Sequence, residues 1–520
     1  MNKFFENRWA VSLISGLLLG LSFPPVNLSF LSFPAFILLL HIAEKSSSYK
    51  ETAYYTYAGI LLWNILTTYW LMMASVGAGI GAILANSVLM TIPLCLARYF
   101  AKNYKSPILV ALLQASAWVA YEYLHHNWDL AWPWLAIGNA WSNQVSLIQY
   151  ISITGHLGIT FWVLFTSALA YKAFQLKTNR LVIATIAAFL ILPSTSLIYF
   201  ALDNPASVNS ETIQVSVIQP NHDSYEDYGG MSGPVEVLDS LFSITERTRL
   251  ENTQLIVWPE NAIDRPIRME SRTSSRISDS AKVWGVNFIV GSGLFTTYEE
   301  DVPILYRVDR QGNPYNVFNS TLFVEQDGTL SRYDKANLVP FVERMPFVYF
   351  LNAIDVFDWF DWGKLAQYGR GSTPDMINTD SFITPGLVCY DSVYPSWTRE
   401  FVNNGADFIT IITNDGWWGN SSGHYQHFAY AKLRAIEFDR WIVRSANNGT
   451  SGIIRPDGTV EQKTEYWVRT GFYSSIPKMN SITLYAKFGD WLSILCLILS
   501  ISFYIYRRFK PLSTSSELQS

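Results

Sequence analysis

Apolar residues are unevenly distributed along this chain, and their distribution constrains the fold more than any other feature. Long apolar segments cluster in roughly the first two hundred residues and recur once near the C-terminus, whereas the middle has ordinary polar content. Hydrophobic residues occupy 49% of the 520 positions and charged residues 15%, which is too apolar for a soluble protein of this length. The pattern predicts a membrane block, a water-soluble domain and a final membrane anchor.

The number of membrane spans is predicted from the length of the apolar segments, because a transmembrane helix needs roughly 20 apolar residues. We predict about eight spans, at 8–22, 28–43, 53–74, 78–98, 106–124, 144–171, 180–202 and 486–506. The first two are short, so a re-entrant hairpin is an alternative for that pair. The predicted domains are transmembrane helices in 1–205 (about seven spans), a soluble domain in 212–478, a C-terminal span in 484–508 and a cytoplasmic tail in 509–520.

Positively charged residues indicate the orientation, because Lys and Arg beside spans are held on the cytoplasmic side. In the eight-span arrangement they fall in connections of one side only. These residues are Lys3, Lys45, Lys50, Arg98, Lys102, Lys105, Lys172, Lys177, Arg180, Arg507, Arg508 and Lys510. The opposite connections, around Pro24, Ser75 and 125–143, contain no Lys or Arg. Both termini are therefore predicted to be cytoplasmic, with the soluble domain outside.

Net charge and cysteine content argue against some functional classes. The formal net charge is -5 and no basic stripe is present, so we expect no nucleic-acid partner. No cluster of His, Cys and Asp has metal-ligand spacing, and we expect neither a metal nor a cofactor. Of the three cysteines, Cys95 and Cys496 lie in apolar spans, which leaves Cys389 without an evident disulfide partner.

The soluble part alternates between short β-rich runs and helical stretches. Strands are predicted at 213–218, 255–258, 288–290, 317–324, 386–388 and 408–413, and helices at 235–252, 271–284, 395–403 and 425–438. This alternation predicts a layered α/β domain. Such folds place their chemistry at the C-terminal ends of buried strands.

Cys389 directly follows the apolar run 386–388, and a turn-prone segment comes after it. A side chain at such a bend is exposed beside the backbone N–H groups of a helix start. Glu260 and Lys335 are also interpreted as following strands. Acyl transfer through a thiol needs a base, a cation facing the oxyanion and a nucleophile, which Glu260, Lys335 and Cys389 supply in that order. The competing interpretation of Cys389 is a small buried hydrophobe.

An ordered set of motifs runs through the soluble part. The motifs are 217–221, Trp258-Pro259-Glu260, Tyr333-Asp334-Lys335, 338–344, Val388-Cys389-Tyr390, 414–419, Gln426-His427 and 444–449. In this order they resemble the nitrilase (carbon-nitrogen hydrolase) superfamily, and more narrowly the apolipoprotein N-acyltransferase family of bacterial membrane enzymes. The resemblance implies a polytopic α-helical membrane domain of about eight spans that carries an α/β domain folded as a nitrilase-like αββα sandwich.

The resemblance also assigns roles position by position. It implies that Glu260 is the general base, that Lys335 stabilises the oxyanion and that Cys389 is the nucleophile. Accessory roles fall on Glu343 and Tyr390, although an ordinary ion pair with Arg344 is an alternative for Glu343. The chain departs from the family at Asp391, where the family often has the longer glutamate.

The activity implied by the resemblance is N-acylation of lipoproteins. An acyl chain passes from a phospholipid, typically phosphatidylethanolamine, to the N-terminal amine of the S-diacylglyceryl-cysteine of an apolipoprotein. The route is ping-pong, through a Cys389 thioester with release of lysophospholipid. The implied location is the bacterial inner membrane, with several spans and the catalytic domain on the periplasmic side.

An aromatic stretch at 345–371 contains Trp359 and Trp362. Aromatic side chains of mixed polarity favour the bilayer interface, so we interpret this stretch as an arm that controls substrate access, with packing as the alternative. Trp417 is a further candidate for substrate access.

Other functions remain open to the sequence. His424 and His427 suggest a Cys-His dyad, but a helix-start or core histidine is favoured because Lys and Glu already fill the needed roles. A membrane-anchored nitrilase-type amidase acting on a small amide is the alternative enzyme. A transporter or scaffold is the non-enzymatic alternative, and it predicts charges within the spans, which are scarce apart from Glu122.

Overall fold

The computed structural model describes residues 5–202, 211–355 and 368–509. The N-terminal part is helical. Its helices are α1 (Arg8–Ser22), α2 (Ser32–Lys45), α3 (Tyr49–Thr68), α4 (Leu71–Ala74), α5 (Val76–Leu89), α6 (Ile92–Asn103), α7 (Pro107–His126), α8 (Ile151–Thr154), α9 (Leu157–Leu176) and α10 (Asn179–Leu202). Local signals set several ends. For example, Pro107 starts α7 directly after Ser106, whose side chain accepts a hydrogen bond from the Leu109 backbone N–H.

Five helical segments among the described residues are long and apolar enough to cross a membrane. They are Val76–Asn103, Pro107–His126, Leu157–Leu176, Asn179–Leu202 and, near the C-terminus, α17 (Trp491–Phe509). The apolar helix α1 is shorter. A helical membrane region is therefore present, while the count of eight stays a prediction.

One predicted span, 144–171, has different bounds in the structure. Its first part forms the short helix α8, and Gly155 at φ 70° separates α8 from the long helix α9. Glycine adopts positive φ without the steric cost of a Cβ atom, so it allows the chain to reorient here. The long helix then continues to Leu176, beyond the predicted end.

The soluble domain is built on two main sheets and a two-stranded ribbon. Its strands are β1 (Thr212–Gln219), β2 (Leu255–Val257), β3 (Ile263–Ile267), β4 (Asn287–Thr297), β5 (Arg307–Val308), β6 (Pro314–Val324), β7 (Leu330–Asp334), β8 (Ile377–Asn378), β9 (Ile383–Thr384), β10 (Gly386–Val388), β11 (Ile409–Thr413), β12 (Ile442–Ala446), β13 (Gly452–Ile454), β14 (Val460–Lys463) and β15 (Thr470–Pro477). The first sheet has the order β15-β1-β2-β4-β6-β5, with β3 paired to β4 and β7 to β6, and the second has the order β10-β11-β12-β13-β14.

The two main sheets pack face to face. Side chains alternate along each strand, so that Val215 and Val217 of β1 enter the core between the sheets while Ile218 faces outward. Residues of the second sheet, including Val388 and Ile412, belong to the same core. The predicted layered α/β domain is therefore confirmed.

Helices cover both outer faces of this sandwich. The helices of the soluble part are α11 (Pro234–Thr248), α12 (Arg272–Trp284), α13 (Val348–Ala353), α14 (Pro395–Asn403), α15 (Ser422–Phe438) and α16 (Leu484–Phe488). Leu241 of α11 and Ile277 of α12 pack on the first sheet, and Phe401 of α14 and Ala435 of α15 pack in the core of the second. The four layers are thus helix, sheet, sheet and helix.

Helix α15 joins this domain to the membrane block. The Gln426 side-chain amide donates to the carbonyl oxygens of Pro24 and Thr67, at 3.1 and 3.0 Å, and its oxygen accepts from the indoles of Trp70 and Trp134. The amide group and the oxygen of the buried Gln426 side chain therefore both form hydrogen bonds at this junction. The satisfied contacts hold the start of α15 against the membrane helices.

Candidate active site

Glu260, Lys335 and Cys389 each lie just after a strand of the sandwich. Glu260 follows β2, Lys335 follows β7 and Cys389 follows β10. All three are buried, with exposed fractions of 4%, 1% and 9%. One expectation was wrong in detail, because the strand before Lys335 is β7 and not the predicted strand 317–324, which forms part of β6.

Lys335 lies between two carboxylates. Its Nζ atom donates to Oε1 of Glu343 at 2.8 Å and lies 3.9 Å from Oε1 of Glu260. The other oxygen of Glu343 accepts from the backbone N–H of Val339 at 2.8 Å. Glu343 therefore pairs with the buried Lys335, and among the described residues it forms no ion pair with Arg344.

Asn319 of β6 completes this cluster. Its side-chain amide donates to Glu260 at 2.8 Å and to Glu343 at 3.2 Å, and its backbone oxygen accepts from the Lys335 N–H at 2.9 Å. Sequence reasoning missed this residue, which is noticeable in the sequence only as the start of Asn319-Ser320-Thr321. The second Glu260 oxygen accepts from the backbone N–H of Asn414 at 2.8 Å, so both of its oxygens are fixed in place.

The backbone bends sharply at Cys389. Its φ is 48°, a left-handed conformation that is uncommon for a residue with a side chain, and a short 3₁₀ helix (Cys389–Val393) begins there. The Cys389 carbonyl oxygen accepts from the Ser392 hydroxyl at 2.7 Å and lies 3.3 Å from Nε2 of His427. The predicted bend after β10 is therefore present.

Burial dominates the electrostatics of the cluster. It raises the pKa of the Cys389 thiol well above its usual range, an effect that the charge of Glu260 increases and that of Lys335 opposes. Burial also raises the pKa of Glu260, with Lys335 opposing the rise. Burial disfavours charge on Lys335, but the carboxylates of Glu343 and Glu260 hold its pKa above that of an ordinary lysine. Lys335 therefore stays positive while the resting thiol keeps its proton.

Asp391 connects the segment after Lys335 to the bend at Cys389. Its Oδ1 atom accepts from the backbone N–H and the side-chain amide of Asn337, at 2.7 and 2.9 Å, and its Oδ2 atom accepts from the Tyr333 hydroxyl at 2.6 Å. The shorter aspartate thus has definite partners. Burial raises its pKa to about 6, against the opposing effect of Lys335.

Asp391→Asn is expected to remove a pH-dependent component of stability. Because the folded pKa of about 6 exceeds the ordinary value of roughly 4, the contribution of Asp391 is fully present below pH 4 and is lost as pH rises through 6. The free energy of unfolding of the parental protein relative to the variant should therefore fall by about 3 kcal/mol across that window. Thermal unfolding in detergent between pH 4 and 8 measures it, with exposed Asp380→Asn as control. A pH-independent difference would contradict the assignment.

Tyr390 attaches the bend to the membrane block. Its hydroxyl donates to the carbonyl oxygen of Ala131 at 3.1 Å, and its ring packs in a cluster that includes Trp70, Trp134 and Tyr430. Because Ala131, Trp70 and Trp134 belong to the N-terminal block, the residue next to Cys389 is held directly against it. The cluster therefore lies close to the membrane helices.

The two histidines have structural partners. His427 lies between the backbone carbonyl of Cys389 and a buried ion pair in which Arg444 donates to Asp415 at 2.8 Å. His424 lies 3.1 Å from the side-chain oxygen of Asn420. The described contacts of both histidines therefore favour core or helix-start roles over a Cys-His dyad. Sequence reasoning also missed the ion pair of Asp415 and Arg444, although both lie in quoted motifs.

Of the three tryptophans predicted to control substrate access, the structure describes only Trp417. Trp417 is 37% exposed, and its carbonyl oxygen accepts from the Tyr225 hydroxyl at 2.8 Å. Trp359 and Trp362 lie outside the described residues, as does the middle of the aromatic stretch. Substrate access through these residues therefore stays a prediction. Within the described ranges, no three His, Cys, Asp or Glu side chains are grouped to hold a metal ion.

A thiol, an ammonium and a carboxylate at the strand ends of a four-layer sandwich form the set that thioester-forming acyl chemistry requires. Two protein-family models match the chain. One, described as the apolipoprotein N-acyltransferase N-terminal domain, matches residues 15–169, and the other, described as carbon-nitrogen hydrolase, matches residues 215–477.

Curated relatives match over nearly the full length. An apolipoprotein N-acyltransferase of Chlorobaculum tepidum is 28% identical over 528 residues, covering 96% of this chain and 96% of the relative. One of Rickettsia prowazekii is 29% identical over 517 residues, covering 94% and 96%. The chain therefore belongs to the carbon-nitrogen hydrolase family and, within it, to the apolipoprotein N-acyltransferases. A solved structure, the CN-hydrolase superfamily protein XC1258 of Xanthomonas campestris, matches 51% of this chain and 91% of its own at 18% identity and a TM-score of 0.36.

Proposed function

We propose that this chain transfers an acyl group from a membrane phospholipid to the N-terminal amine of a diacylglyceryl-cysteine lipoprotein. The supporting observation is the cluster of Cys389, Lys335 and Glu260 in a sandwich packed on membrane helices. Relatives that match nearly the whole chain carry the name apolipoprotein N-acyltransferase. The proposed division of labour assigns substrate entry to the helical part and chemistry to residues 212–478.

In the first half-reaction Cys389 attacks the ester carbonyl carbon of the phospholipid. Glu260 takes the thiol proton as the S–C bond forms, because the raised pKa of Cys389 leaves little free thiolate. The tetrahedral oxyanion collapses, the C–O bond breaks, and the lysophospholipid alkoxide receives the proton from Glu260. The product is a thioester on Cys389.

In the second half-reaction the lipoprotein amine attacks the thioester carbonyl. The C–N bond forms, the amine loses a proton to Glu260, the C–S bond breaks, and Glu260 passes that proton to the leaving thiolate, which restores the thiol of Cys389. Both half-reactions pass through an oxyanion that the positive Lys335 stabilises. The Tyr390 N–H belongs to the peptide group whose carbonyl accepts from Ser392, and this hydrogen bond holds the peptide group in position as a second donor.

Mass spectrometry of the intact protein tests this function. After incubation with phospholipid and no acceptor, Cys389 should gain the mass of one acyl chain, and an added diacylglyceryl-cysteine peptide should remove it. Cys389→Ser should form no acyl-enzyme, or only a slowly formed oxyester, because a carboxylate base deprotonates an alcohol far less readily than a thiol. Absence of the adduct in the parental protein would reject the proposal.

The donor and the orientation are finer proposals. Phosphatidylethanolamine is the proposed donor, and the enzyme is placed in the bacterial inner membrane with both termini cytoplasmic and the domain on the periplasmic side. Connections without Lys or Arg support this orientation. Reporter fusions should place residue 300 outside the cytoplasm and residue 175 inside, and a cytoplasmic residue 300 would contradict it.

A small-amide hydrolase is not favoured. Anchoring requires one span, whereas five helical segments of the described residues are long and apolar enough to cross a membrane. The residue after Cys389 also packs against that helical block. Both features fit a lipid substrate that approaches from the bilayer.

Replacing Trp359 and Trp362 with alanine is expected to slow acylation by phospholipid about 10-fold, because interfacial aromatic side chains stabilise contacts with lipid. Alkylation of Cys389 by a small water-soluble thiol reagent should stay at the parental rate. The measurement compares the two rates in one preparation. Unchanged acyl transfer would assign the aromatic stretch to packing.

A further inference from the structure

A cavity of about 490 Å³ lies between the membrane block and the soluble domain, away from Cys389. One wall is formed by the C-terminal half of α10 and the segment around α8, and the other by the end of α15 and the chain leading into α16. Its lining residues are Gln149, Tyr150, Ser152, Ile153, Thr195, Ser196, Tyr199, Ile436, Asp439, Pro456, Ser481, Ile482, Thr483 and Leu484. None of these residues belongs to the cluster around Cys389.

The cavity is amphipathic. Ile153, Tyr199, Ile482 and Leu484 are all large apolar or aromatic side chains with more than a third of their surface exposed. On α10 the exposed Ile191 lies one helical turn before Thr195, so the apolar surface continues along the helix. Polar groups lie on both walls, and the charged one, Asp439, caps the C-terminus of α15 on the side of the soluble domain. An amphiphile with its chains along α10 matches this arrangement.

Most polar groups of the cavity have already used their hydrogen atoms. The hydroxyls of Ser152, Thr195 and Thr483 donate to backbone carbonyl oxygens at 2.6 to 2.8 Å. The Ser481 hydroxyl donates to the Asp439 carboxylate at 2.5 Å. Both hydrogens of the Gln149 amide are also used, on the carbonyl oxygens of residues 145 and 457. The Tyr150 hydroxyl has no hydrogen-bond partner and can still donate. The remaining capacity of the other groups named here consists of acceptors, which favours a ligand that donates hydrogen bonds.

Charge points to the same chemistry. Asp439 is the charged residue of the lining, which contains no Lys, Arg or His among the described residues. The neighbouring Arg440 is 1% exposed, and its guanidinium donates to backbone carbonyls and, at 3.2 Å, to the hydroxyl oxygen of the lining residue Ser481. Its N–H groups are therefore used inside the protein, and the Asp439 carboxylate is the charged group that a ligand in the cavity can contact. A carboxylate among acceptors attracts an ammonium group and disfavours a phosphate that is not paired with one.

We propose that this cavity binds the ammonium headgroup of a bilayer phospholipid, with the acyl chains along α10. The headgroup ammonium donates to the Asp439 carboxylate and to neighbouring oxygens. A lipid in this position fills the junction between α10 and the soluble domain. The proposal concerns a site separate from the acyl donor's site at Cys389.

Site-resolved photolabelling tests the proposal on the full-length protein in nanodiscs. The probes are ether-linked phosphatidylethanolamine and phosphatidylglycerol with the same diazirine-bearing chains, which Cys389 cannot cleave as esters. Peptides containing residues 191–199 or 481–484 should carry at least 10-fold more label from the ethanolamine lipid. Equal labelling by the two lipids would overturn the proposal.

Two matched variants test whether the Asp439 charge selects the lipid. Asp439 has φ 51°, a conformation that asparagine tolerates, so Asp439→Asn should keep the backbone while removing the charge. It should reduce the ethanolamine-lipid labelling to the level of the glycerol lipid and leave acyl transfer unchanged. Asp301→Asn is the control, because Asp301 has the same φ and lies outside the cavity lining. Unchanged labelling in Asp439→Asn would reject the site.

Soluble phosphoethanolamine distinguishes a lipid from a free amine. It should fail to displace the lipid label at millimolar concentration, because it has no chains to lie along α10. Full displacement would overturn the lipid assignment in favour of a small-molecule site. Labelling that follows the expected pattern in a protein without acyl transfer would leave this site intact while rejecting the proposed function.

Discussion

Glu260→Gln is expected to slow formation of the Cys389 thioester by about 10²- to 10⁴-fold, the range for loss of a positioned general base. Burial raises the pKa of the thiol, and Lys335 remains protonated, so neither group compensates. Glutamine has the shape of glutamate and one oxygen to accept from Asn319 or from the backbone of Asn414. The parental protein and the variant therefore differ mainly in whether a base or a neutral amide stands at position 260.

Single-turnover acylation followed by mass spectrometry measures the loss. The parental rate should fall as pH is lowered through the pKa of Glu260, because the base must be ionised. Burial raises that pKa, so the fall should occur above the ordinary glutamate value of about 4.3. Glu260→Gln should lose this pH dependence, while exposed Glu246→Gln should keep it together with the parental rate. An acid fall that persists in Glu260→Gln would assign it to another group.

The strands and helices that were predicted correctly are those that the local sequence pattern identifies. The runs at 386–388 and 408–413 are apolar and sharply bounded, and they correspond to β10 and β11. Helix 395–403 was also predicted with the observed bounds. By contrast, β7 was missed because Leu330–Asp334 is mixed in polarity and is stabilised by pairing with β6. Long-range pairing decides such strands, and local composition does not show it.

The candidate site was predictable where a residue carries distinctive chemistry. Cys389, Lys335 and Glu260 were identified from residue type, order and resemblance. Asn319 was missed because asparagine is common and its role depends on the space between two carboxylates. That space is created by packing of strands distant in sequence, so only the structure identifies it.

The proposed role of Asp391 also depended on tertiary structure. The sequence showed only a carboxylate one methylene shorter than the family's usual residue. In the structure its oxygens reach Asn337 and Tyr333, so the shorter side chain still connects the strand end at Lys335 to the bend at Cys389. Side-chain length alone therefore could not decide whether the connection exists.

Lys335→Met is expected to slow both half-reactions by about 10²- to 10³-fold. The variant loses the positive charge facing the oxyanion, a loss of roughly 3 to 4 kcal/mol if Lys335 acts like other oxyanion donors. It also leaves the buried carboxylates of Glu260 and Glu343 without their shared cation, so the pKa of Glu260 should rise further. The acid fall of the acylation rate should therefore move to higher pH.

The same substitution should lower the free energy of unfolding by about 3 to 5 kcal/mol, the cost of removing one partner from a buried ion pair. Lys282 is exposed on α12 and does not belong to the cluster around Cys389, so Lys282→Met controls for the loss of a positive charge. The decisive measurement is the rate of thioester formation and of its resolution by the amine, in protein that still unfolds cooperatively. If Lys335→Met forms and resolves the thioester at the parental rate, Lys335 does not act on the oxyanion. The mechanism built on Glu260, Lys335 and Cys389 would then be wrong.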